Sequence, residues 1–358
     1  MQKFTFHVVN LPHTQTTAEY THCAYTQKVR KFCNMMTDLG HDVILYASEE
    51  NEARVKELVT VITKEKQREI FGDYDHKKNF FNITWGIHDP GWVEMNANTI
   101  RAMAQRIQPR DFICIIGGLC QKVIADAFPS NMAVEYGIGY DGTFSKYRVF
   151  ESYAWLHLVH GLQRDHYHGN FYDTVIPNYY DEEEFPFSEK KDDYYLFMGR
   201  LNQDKGFGIA QEVCQKLGKR LILAGQGEFS GYGEHIGVVG VKERGKLMSK
   251  AKAVFTPSTY IEPFGGVHAE ALLCGTPVIT TNFGVFTETV ENGVNGYRCD
   301  VFRDFVAAAK AVEKFSPAKR KKIRANAQQR FSTKHVRDQY QKYFERLYDL
   351  WGDGWYAE

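Results

Sequence analysis

Two glutamates, Glu262 and Glu270, stand eight positions apart in the stretch YIEPFGGVHAEALLCGTPVIT, which runs from residue 260 to residue 280. A glycine pair, Gly265 and Gly266, lies between them, and the apolar segment that follows predicts a short helix. The backbone N–H groups at the start of a helix attract anions such as phosphate. A carboxylate accepts hydrogen bonds from sugar hydroxyls. These residue types in this order favour a ligand that carries both sugars and phosphate.

A pair of cations follows an apolar run nearer the middle of the chain. The run YYLFMG predicts a buried strand, and GRLNQDKG places Arg200 at its end and Lys205 just before the next helix. Two cations with little side-chain bulk between them suit a diphosphate, although an isolated pair at this spacing is more often surface charge. A charge-assisted hydrogen bond contributes about 1.5–3 kcal/mol, whereas a helix terminus contributes about 0.3–1 kcal/mol. We therefore expect Arg200 and Lys205 to dominate phosphate binding.

Two further loops follow predicted strands. The segment AGQGE contains Gly225, where the backbone can approach a ligand closely, and Val239, Gly240 and Val241 could offer backbone groups to a flat base. Both segments are equally compatible with ordinary turns. Ligands of open parallel sheets bind at the carboxyl ends of the strands, so we expect these loops to meet at one site.

The elements that must position these residues alternate between strands and helices. FTFHVVN, DVILYA and FICII predict strands, with helices at about 29–39 and 94–108 between them. A second series runs through YYLFMG, RLILAG, IGVVG, AVFTPS and PVIT, with helices at FGIAQEVCQKLG and KERGKLMSKA. The segment TVIPNYYDEEEFPFSEKKDD between them is rich in proline and charge. We therefore predict an α/β protein with two Rossmann-like, doubly wound parallel sheets.

Composition restricts the class of partner. Lys plus Arg equals Asp plus Glu at 44 each in 358 residues, so no net charge would recruit nucleic acid. The seven cysteines include no CxxC pair, which favours a reducing compartment, and no apolar run is long enough to span a membrane. We expect a cytoplasmic protein. The basic run PAKRKKIR at 317–324 is interpreted as a solvated helix face.

Four motifs in order give the sequence a resemblance to a known family. GRLNQDKG, LILAGQGE, EPFGGVHAEALLCGTPVIT and NFGVFTETVENGVNGYRC together resemble the donor-binding half of the GT-B-fold, retaining nucleotide-sugar glycosyltransferases of family four, also called glycosyl transferases group 1. The resemblance extends from IPNYYD to about Cys299. It implies two domains that face each other across a cleft: an acceptor-side domain at 1–180 and a donor-binding domain at 181–331. It also implies a last helix at 332–358 that crosses back to the first domain.

The resemblance implies a role for each matching residue. Glu270 would bind the ribose hydroxyls, and Glu262 with the backbone of Phe264 and Gly265 would face the donor sugar. The following residues of the motif, Gly266 and Val267, would offer N–H groups to the distal phosphate. Arg200 and Lys205 would stabilise the leaving diphosphate, Gly225 would approach the donor, and Val239, Gly240 and Val241 would lie beside the base.

The resemblance also implies the chemistry. The enzyme would move a sugar from a UDP-, GDP- or ADP-sugar to an acceptor hydroxyl with retention of configuration. It would need no cofactor and no metal ion, because the two cations replace the metal. The acceptor could be a glycan, a lipid-linked sugar, a protein, a metabolite or a modified nucleobase.

The N-terminal half departs from the family pattern. The usual glycine-rich first loop is replaced by LPHTQTTAE, and the histidine that many relatives carry after a mid-domain strand is missing from AVEYGIGYDG. Tyr136, Asp141 and His13 are the candidates for the acceptor side, although a structural role is the alternative for each. Two other functions stay open, the second of them because of the missing histidine. One is a sugar-nucleotide epimerase, and the other is a nucleotide-sugar binding module without catalysis.

Overall fold

The chain folds into two compact units. The computed structural model describes residues 2–20, 23–75, 83–163 and 169–352. The first unit consists of Met1–Glu151, Leu158–Ile176 and Val336–Glu358, and the second consists of Ser152–His157 and Pro177–His335. The sequence predicted domains at 1–180, 181–331 and 332–358. These limits remain a prediction.

The first unit is built on a parallel sheet. Within the described ranges it has seven strands in the order β3-β2-β1-β4-β5-β6-β7. Phe6, on an interior strand, pairs with Val43 on one side and with Phe112 on the other. Its strands are β1 (Thr5–Val9), β2 (Asp42–Ala47), β3 (Glu57–Thr60), β4 (Phe112–Ile115), β5 (Ala133–Ile138), β6 (Tyr147–Phe150) and β7 (Thr174–Val175).

Helices connect these strands. They are α1 (Ala24–Asp38), α2 (Lys64–Phe71), α3 (Pro90–Met103), α4 (Lys122–Ala127) and α5 (Tyr153–Leu162). The helix predicted at 94–108 is therefore shifted toward the N-terminus and begins at Pro90. Proline is favoured at the first helical position because its missing N–H would have no partner there in any case.

The second unit also holds a parallel sheet. The part of the chain described here gives it six strands in the order β10-β9-β8-β11-β12-β13. This pair of parallel sheets with connecting helices confirms the α/β class predicted from the sequence. The strands are β8 (Tyr195–Met198), β9 (Leu221–Ala224), β10 (Glu234–His235), β11 (Val254–Thr256), β12 (Val278–Thr281) and β13 (Gly296–Cys299).

The strand predicted at IGVVG is wrong. The strand at this place is β10, which ends at His235, and residues 236–240 are a loop. Gly237 adopts a left-handed backbone with φ of 76°, which interrupts the extended conformation that a strand requires. Ile236 and Val238 are 37% and 49% exposed, so the apolar residues of this segment are not core residues.

The remaining helices cover the second sheet and return to the first unit. They are α6 (Phe207–Leu217), α7 (Val241–Lys250), α8 (Gly266–Leu273), α9 (Phe286–Thr289), α10 (Phe302–Val312), α11 (Pro317–Phe331) and α12 (Thr333–Gly352). From Val336 onward α12 belongs to the first unit. Its apolar stripe is buried there: the ring of Phe344 lies 4.6 Å from that of Phe6 and 5.0 Å from that of Phe112.

Two sequence-based expectations concern the whole chain. None of the described helices is long and apolar enough to cross a membrane. The seven cysteines are all free thiols, as their unpaired spacing predicted.

Candidate active site

The loops after β8, β9 and β11 lie at the same edge of the second sheet, because the three strands are parallel neighbours. Two of these loops approach so closely that a side chain would not fit between them. A Cβ atom added at Gly225 would lie 1.8 Å from the carbonyl oxygen of Gly199. Because Gly225 has no side chain, its loop can pack against the backbone of Gly199, the residue before Arg200.

Lys205 and Glu262 form an ion pair at this edge. The Lys205 Nζ atom donates to Glu262 Oε1 at 2.6 Å, and the two side chains are 21% and 8% exposed. The same carboxylate oxygen accepts a hydrogen bond from Ser258 Oγ at 2.6 Å. The lysine, which is the more exposed partner, is therefore held in place by a carboxylate that is itself anchored by a hydroxyl.

Tyr260 links this ion pair to Arg200. Its hydroxyl oxygen accepts a hydrogen bond from Lys205 Nζ at 2.5 Å. Burial raises the pKa of Tyr260, the charge of Glu262 raises it further, and the charge of Arg200 lowers it. Arg200 is therefore close enough to act on the same hydroxyl. Lys205 and Glu262 therefore adjoin Tyr260, and the charge of Arg200, which follows β8, acts on the same hydroxyl.

Glu270 lies in α8 and has a partner that the sequence did not reveal. Arg244 Nη1 donates to Oε1 of Glu270 at 2.9 Å and to Oε2 at 3.2 Å. Arg244 lies one turn into α7, and its N–H donates to the carbonyl of Gly240 at 2.9 Å. The segment at Val239, Gly240 and Val241, which was predicted to lie beside a base, is therefore connected through Arg244 to the glutamate that was predicted to bind ribose.

Tyr180 is a buried phenol at the start of α8, since a Cβ atom added at Gly266 would be 2.7 Å from its hydroxyl. Burial raises the pKa of that hydroxyl well above the usual range, and the charges of Glu270 and Glu262 raise it further. The charges of both carboxylates therefore act on the same hydroxyl.

His268 forms a hydrogen bond with the backbone at the start of α8. Gly265 precedes the helix with a left-handed φ of 70°, a conformation that glycine adopts without strain. The carbonyl of Gly265 lies 2.6 Å from His268 Nδ1, which donates to it in the corresponding tautomer. Burial lowers the pKa of His268 to about 4, so the imidazole is neutral at neutral pH.

The two apolar residues of this motif use their side chains in packing. The ring of Phe264 is buried 5.3 Å from that of His268, so only the backbone of Phe264 remains for a ligand. Val267 packs partly buried against the same core.

The acceptor-side candidates lie in the first unit and differ in exposure. Tyr136 is fully buried on β5, with its ring 4.3 Å from that of Phe32, which favours the structural alternative for this residue. Asp141 is exposed in the loop after β5. His13 is buried in the loop after β1, and burial lowers its pKa to about 3.

A charged pair in the first unit was also missed by the sequence analysis. Lys28 on α1 pairs with Glu151, which directly follows β6, and both side chains are buried. Lys28 Nζ also donates to the carbonyl of Gly137 on β5 at 3.1 Å. Burial lowers the pKa of Lys28 to about 7. Sequence spacing gives no signal for such a pair, because its members are 123 positions apart (151 minus 28).

The side chains of the described ranges include no cluster of three or more His, Cys, Asp or Glu residues suited to a metal ion. The groups available to a ligand at the candidate site are instead cations, carboxylates and the backbone at the start of α8.

Sequence comparison finds a match for most of the second unit. Residues 180–330 match the family model of glycosyl transferases group 1. A glycogen synthase of Mycobacterium tuberculosis is 32% identical over 167 residues, which cover 39% of this chain. The chain spans 38% of the length of that relative.

Structural comparison identifies the fold of the whole chain as GT-B. AviGT4, a glycosyltransferase involved in avilamycin A biosynthesis, matches with a TM-score of 0.66 and 19% identity, over 97% of this chain and 98% of its own. The Anabaena protein HepE, solved in complex with UDP-glucose, matches with a TM-score of 0.64 and 16% identity, over 96% and 99% of the two chains.

Proposed function

We propose that this chain, with its group 1 glycosyltransferase second unit, transfers a sugar from a nucleotide-diphosphate donor to an acceptor hydroxyl, with retention of configuration and without a metal ion. The observation that carries the proposal is the ion pair of Lys205 and Glu262 beside Tyr260, with Arg200 two residues after the end of β8, at the carboxyl edge of the second sheet. Two cations and a carboxylate at one edge suit a ligand in which a diphosphate adjoins a sugar.

The ribose, the distal phosphate and the sugar of the donor would each contact a different group of the candidate site. Glu270 retains acceptor capacity for ribose hydroxyls beyond its two bonds from Arg244, because a carboxylate has about four lone-pair sites. The start of α8 at Gly266 would bind the distal phosphate through its N–H groups. Glu262 would accept a hydrogen bond from the donor sugar on the side of the site that faces Lys205.

In the proposed reaction the acceptor oxygen forms a bond to the anomeric carbon, and the bond from that carbon to the phosphate oxygen breaks. The diphosphate leaves with the bonding electron pair, and the acceptor proton passes to the leaving phosphate. Attack from the face that the diphosphate leaves retains the configuration. Arg200 and Lys205 would contribute most at this step, because negative charge develops on the leaving oxygen only in the transition state.

The first experiment identifies the nucleotide. UDP, GDP, ADP and TDP are added separately, and thermal unfolding is followed. A ligand at a hundred times its dissociation constant adds about 2.7 kcal/mol of stability, which is a measurable shift. The binding of UDP-glucose by HepE makes UDP the first candidate. If none of the four stabilises the protein, the donor class proposed here is wrong.

The second experiment tests the roles of the cations with the nucleotide sugar that binds best. Arg200→Ala should lower the rate of nucleotide diphosphate release about 10- to 100-fold, since it removes one charge-assisted hydrogen bond. Arg303→Ala, at a side chain that is 90% exposed, is the matched control and should keep full activity.

Three outcomes would contradict the proposal. Unchanged release of the nucleotide by Arg200→Ala would remove the guanidinium from the mechanism. Recovery of an altered nucleotide sugar in the absence of acceptor would indicate an epimerase. Binding of the donor with neither transfer nor slow hydrolysis would indicate a binding module.

A further inference from the structure

The second unit contains a cavity that shares no residue with the candidate active site. It has a volume of about 770 Å³ and lies between the segment 287–298, which includes the end of α9 and the start of β13, and the helix α11. A volume of roughly 300–1,000 Å³ is typical of small-molecule sites. The edge strand β13 provides one wall, so the cavity lies at the border of the sheet.

Four cations line this cavity: Arg298, Lys319, Lys322 and Arg330. Lys319 and Lys322 belong to the basic run that the sequence analysis interpreted as a solvated helix face. Among the residues that the structure describes, none of the four is paired with a carboxylate within 4.0 Å. The side chains of Arg298, Lys319 and Arg330 donate to backbone carbonyls instead.

The two guanidinium groups donate to the carbonyls of adjacent residues. Arg330 Nη2 donates to the carbonyl of Glu288 at 3.0 Å, and Arg298 Nη1 donates to that of Thr287 at 3.4 Å. The Nε atom of Arg298 is buried and has no partner among the described residues. Burial lowers the pKa of Arg330, and the charge of Glu288 offsets part of this effect.

The acidic residues in the wall do not balance these charges. The lining contains Glu288 and Glu291. The carboxylate of Glu288 accepts hydrogen bonds from the backbone N–H groups of Tyr153 at 3.0 Å and Ala154 at 2.7 Å. Glu291 is exposed, and its carboxylate pairs with none of the four cations. The cavity therefore carries an excess of positive charge, two formal charges if all six groups are ionised.

We propose that this cavity is a second binding site, which takes a phosphate monoester of a small polyhydroxy molecule, such as a sugar phosphate. Arginine and lysine side chains that converge from different directions suit a dianionic phosphate better than a carboxylate with one charge. The volume leaves room for more than a phosphate. Asn326, Ser316 and Thr287, which also line the cavity, provide hydrogen-bonding partners for hydroxyl groups.

The test measures binding by calorimetry at constant ionic strength, with glucose 6-phosphate as the probe. Glucuronate and glucose serve as comparison ligands, because the first carries a carboxylate in place of a phosphate and the second is neutral. We expect saturable binding of glucose 6-phosphate and at least about tenfold weaker binding of the other two, since the charge-assisted bonds are lost or reduced.

Variants locate the binding site. Lys322→Gln should weaken binding of glucose 6-phosphate about tenfold. Lys321→Gln is the matched control: it removes the same charge from the next position of α11, but its side chain pairs with Glu189 and does not line the cavity. Arg298→Gln should weaken binding as Lys322→Gln does.

The candidate active site could also bind a phosphate, and Arg200→Gln separates the two sites. If Arg200→Gln abolishes binding of glucose 6-phosphate while Lys322→Gln does not, the phosphate binds at the active site and the proposal is wrong. The absence of saturable binding to the unaltered protein, or equal losses for Lys322→Gln and Lys321→Gln, would also overturn it. Because donor binding depends on Arg200 and not on Lys322, failure here leaves the proposed transfer reaction untouched.

Discussion

At the scale of single residues, the pair formed by Lys205 and Glu262 has two functions that a mutation can separate. Lys205 is proposed to bind the diphosphate, and it also neutralises a carboxylate that is only 8% exposed. Lys205→Met should therefore lower both turnover and stability. The stability loss should be about 1–3 kcal/mol, which is the cost of a buried polar group left without its partner.

The double variant Lys205→Met, Glu262→Gln tests this separation. It removes the unpaired charge, so chemical denaturation should show part of the lost stability restored relative to Lys205→Met alone. Turnover should stay low, because the diphosphate still lacks the amine. A double variant that is no more stable than Lys205→Met would show that the carboxylate is not the source of the cost.

His268 should make the stability of the second unit depend on pH. Its pKa is lowered by burial from 6.5 to about 4, so the folded state favours the neutral imidazole. Between these values the unfolded chain binds more protons than the folded chain. The free energy of unfolding should therefore fall as the pH drops from about 6.5 to 4, by about 3 kcal/mol in total.

The measurement compares denaturation of the protein and of His268→Gln across this pH range. The contribution of His268 is fully present above pH 6.5 and is lost through the window, so the variant should show a shallower dependence on pH. Glu262 and Arg330 act on the same imidazole with opposite signs, and both remain in the variant. Identical pH dependence of the two proteins would show that protonation of His268 does not limit stability.

Residue types and spacing predicted the charged side chains of the candidate site. They did not predict the residues that interact with those side chains. Arg244 is 26 positions from Glu270, and the spacing of neither residue indicates the other. Tyr180 approaches both glutamates from more than 80 positions away, since 262 minus 180 is 82. Tyr260 was within the motif itself, and its position two residues before Glu262 was the signal that could have identified it.

At the scale of elements, the site depends on how closely the loops after β8 and β9 approach. Gly225→Ala would place a Cβ atom 1.8 Å from the carbonyl oxygen of Gly199 at a residue whose φ is 147°. The loops would have to separate, so we expect lower stability and weaker binding of the nucleotide that the screen identifies. Both are measured by thermal unfolding with and without that nucleotide.

Gly208→Ala is the matched control for this substitution. Gly208 lies in α6, and a Cβ atom there would meet nothing within 4 Å. Alanine in a helix interior is more favourable than glycine by roughly 0.5–1 kcal/mol, so this variant should be slightly more stable with unchanged nucleotide binding. Equal behaviour of the two variants would show that the contact between the loops is unimportant.

Elements with strong apolar patterns were predictable, and short or irregular ones were not. The strands β2, β8 and β9 contain continuous apolar runs, and a helix with its start near Gly266 followed from the glycine pair and the apolar segment. The two-residue strand β7 is too short to produce a pattern. The error at 236–240 arose because apolar residues around Gly237 satisfied the strand pattern, while the φ of that glycine is not visible in the sequence.

At the scale of the whole molecule, the first unit is assembled from segments that are far apart in the chain. Its sheet and helices come from the first 176 residues, while Val336 and the rest of α12 complete its core. The apolar residues of α12 recur at helical spacing, which indicates one buried face. This spacing could not show which surface would cover that face, because a helix stripe specifies only that it must be buried. Only the family resemblance predicted that this helix would return to the first domain.

Phe344→Ala tests how much α12 contributes to the first unit. The ring is fully buried and lies against Phe6 and Phe112, so its removal should cost about 3–5 kcal/mol. Lys342→Ala, at an exposed position of the same helix, should cost almost nothing. Because the chain has two compact units, a single melting temperature is not a safe measure. Amide hydrogen exchange should instead show faster exchange in β1 and β4 for Phe344→Ala, with β8 and β11 unchanged. Equal protection of β1 in both variants would mean that α12 is not part of the cooperative core of the first unit.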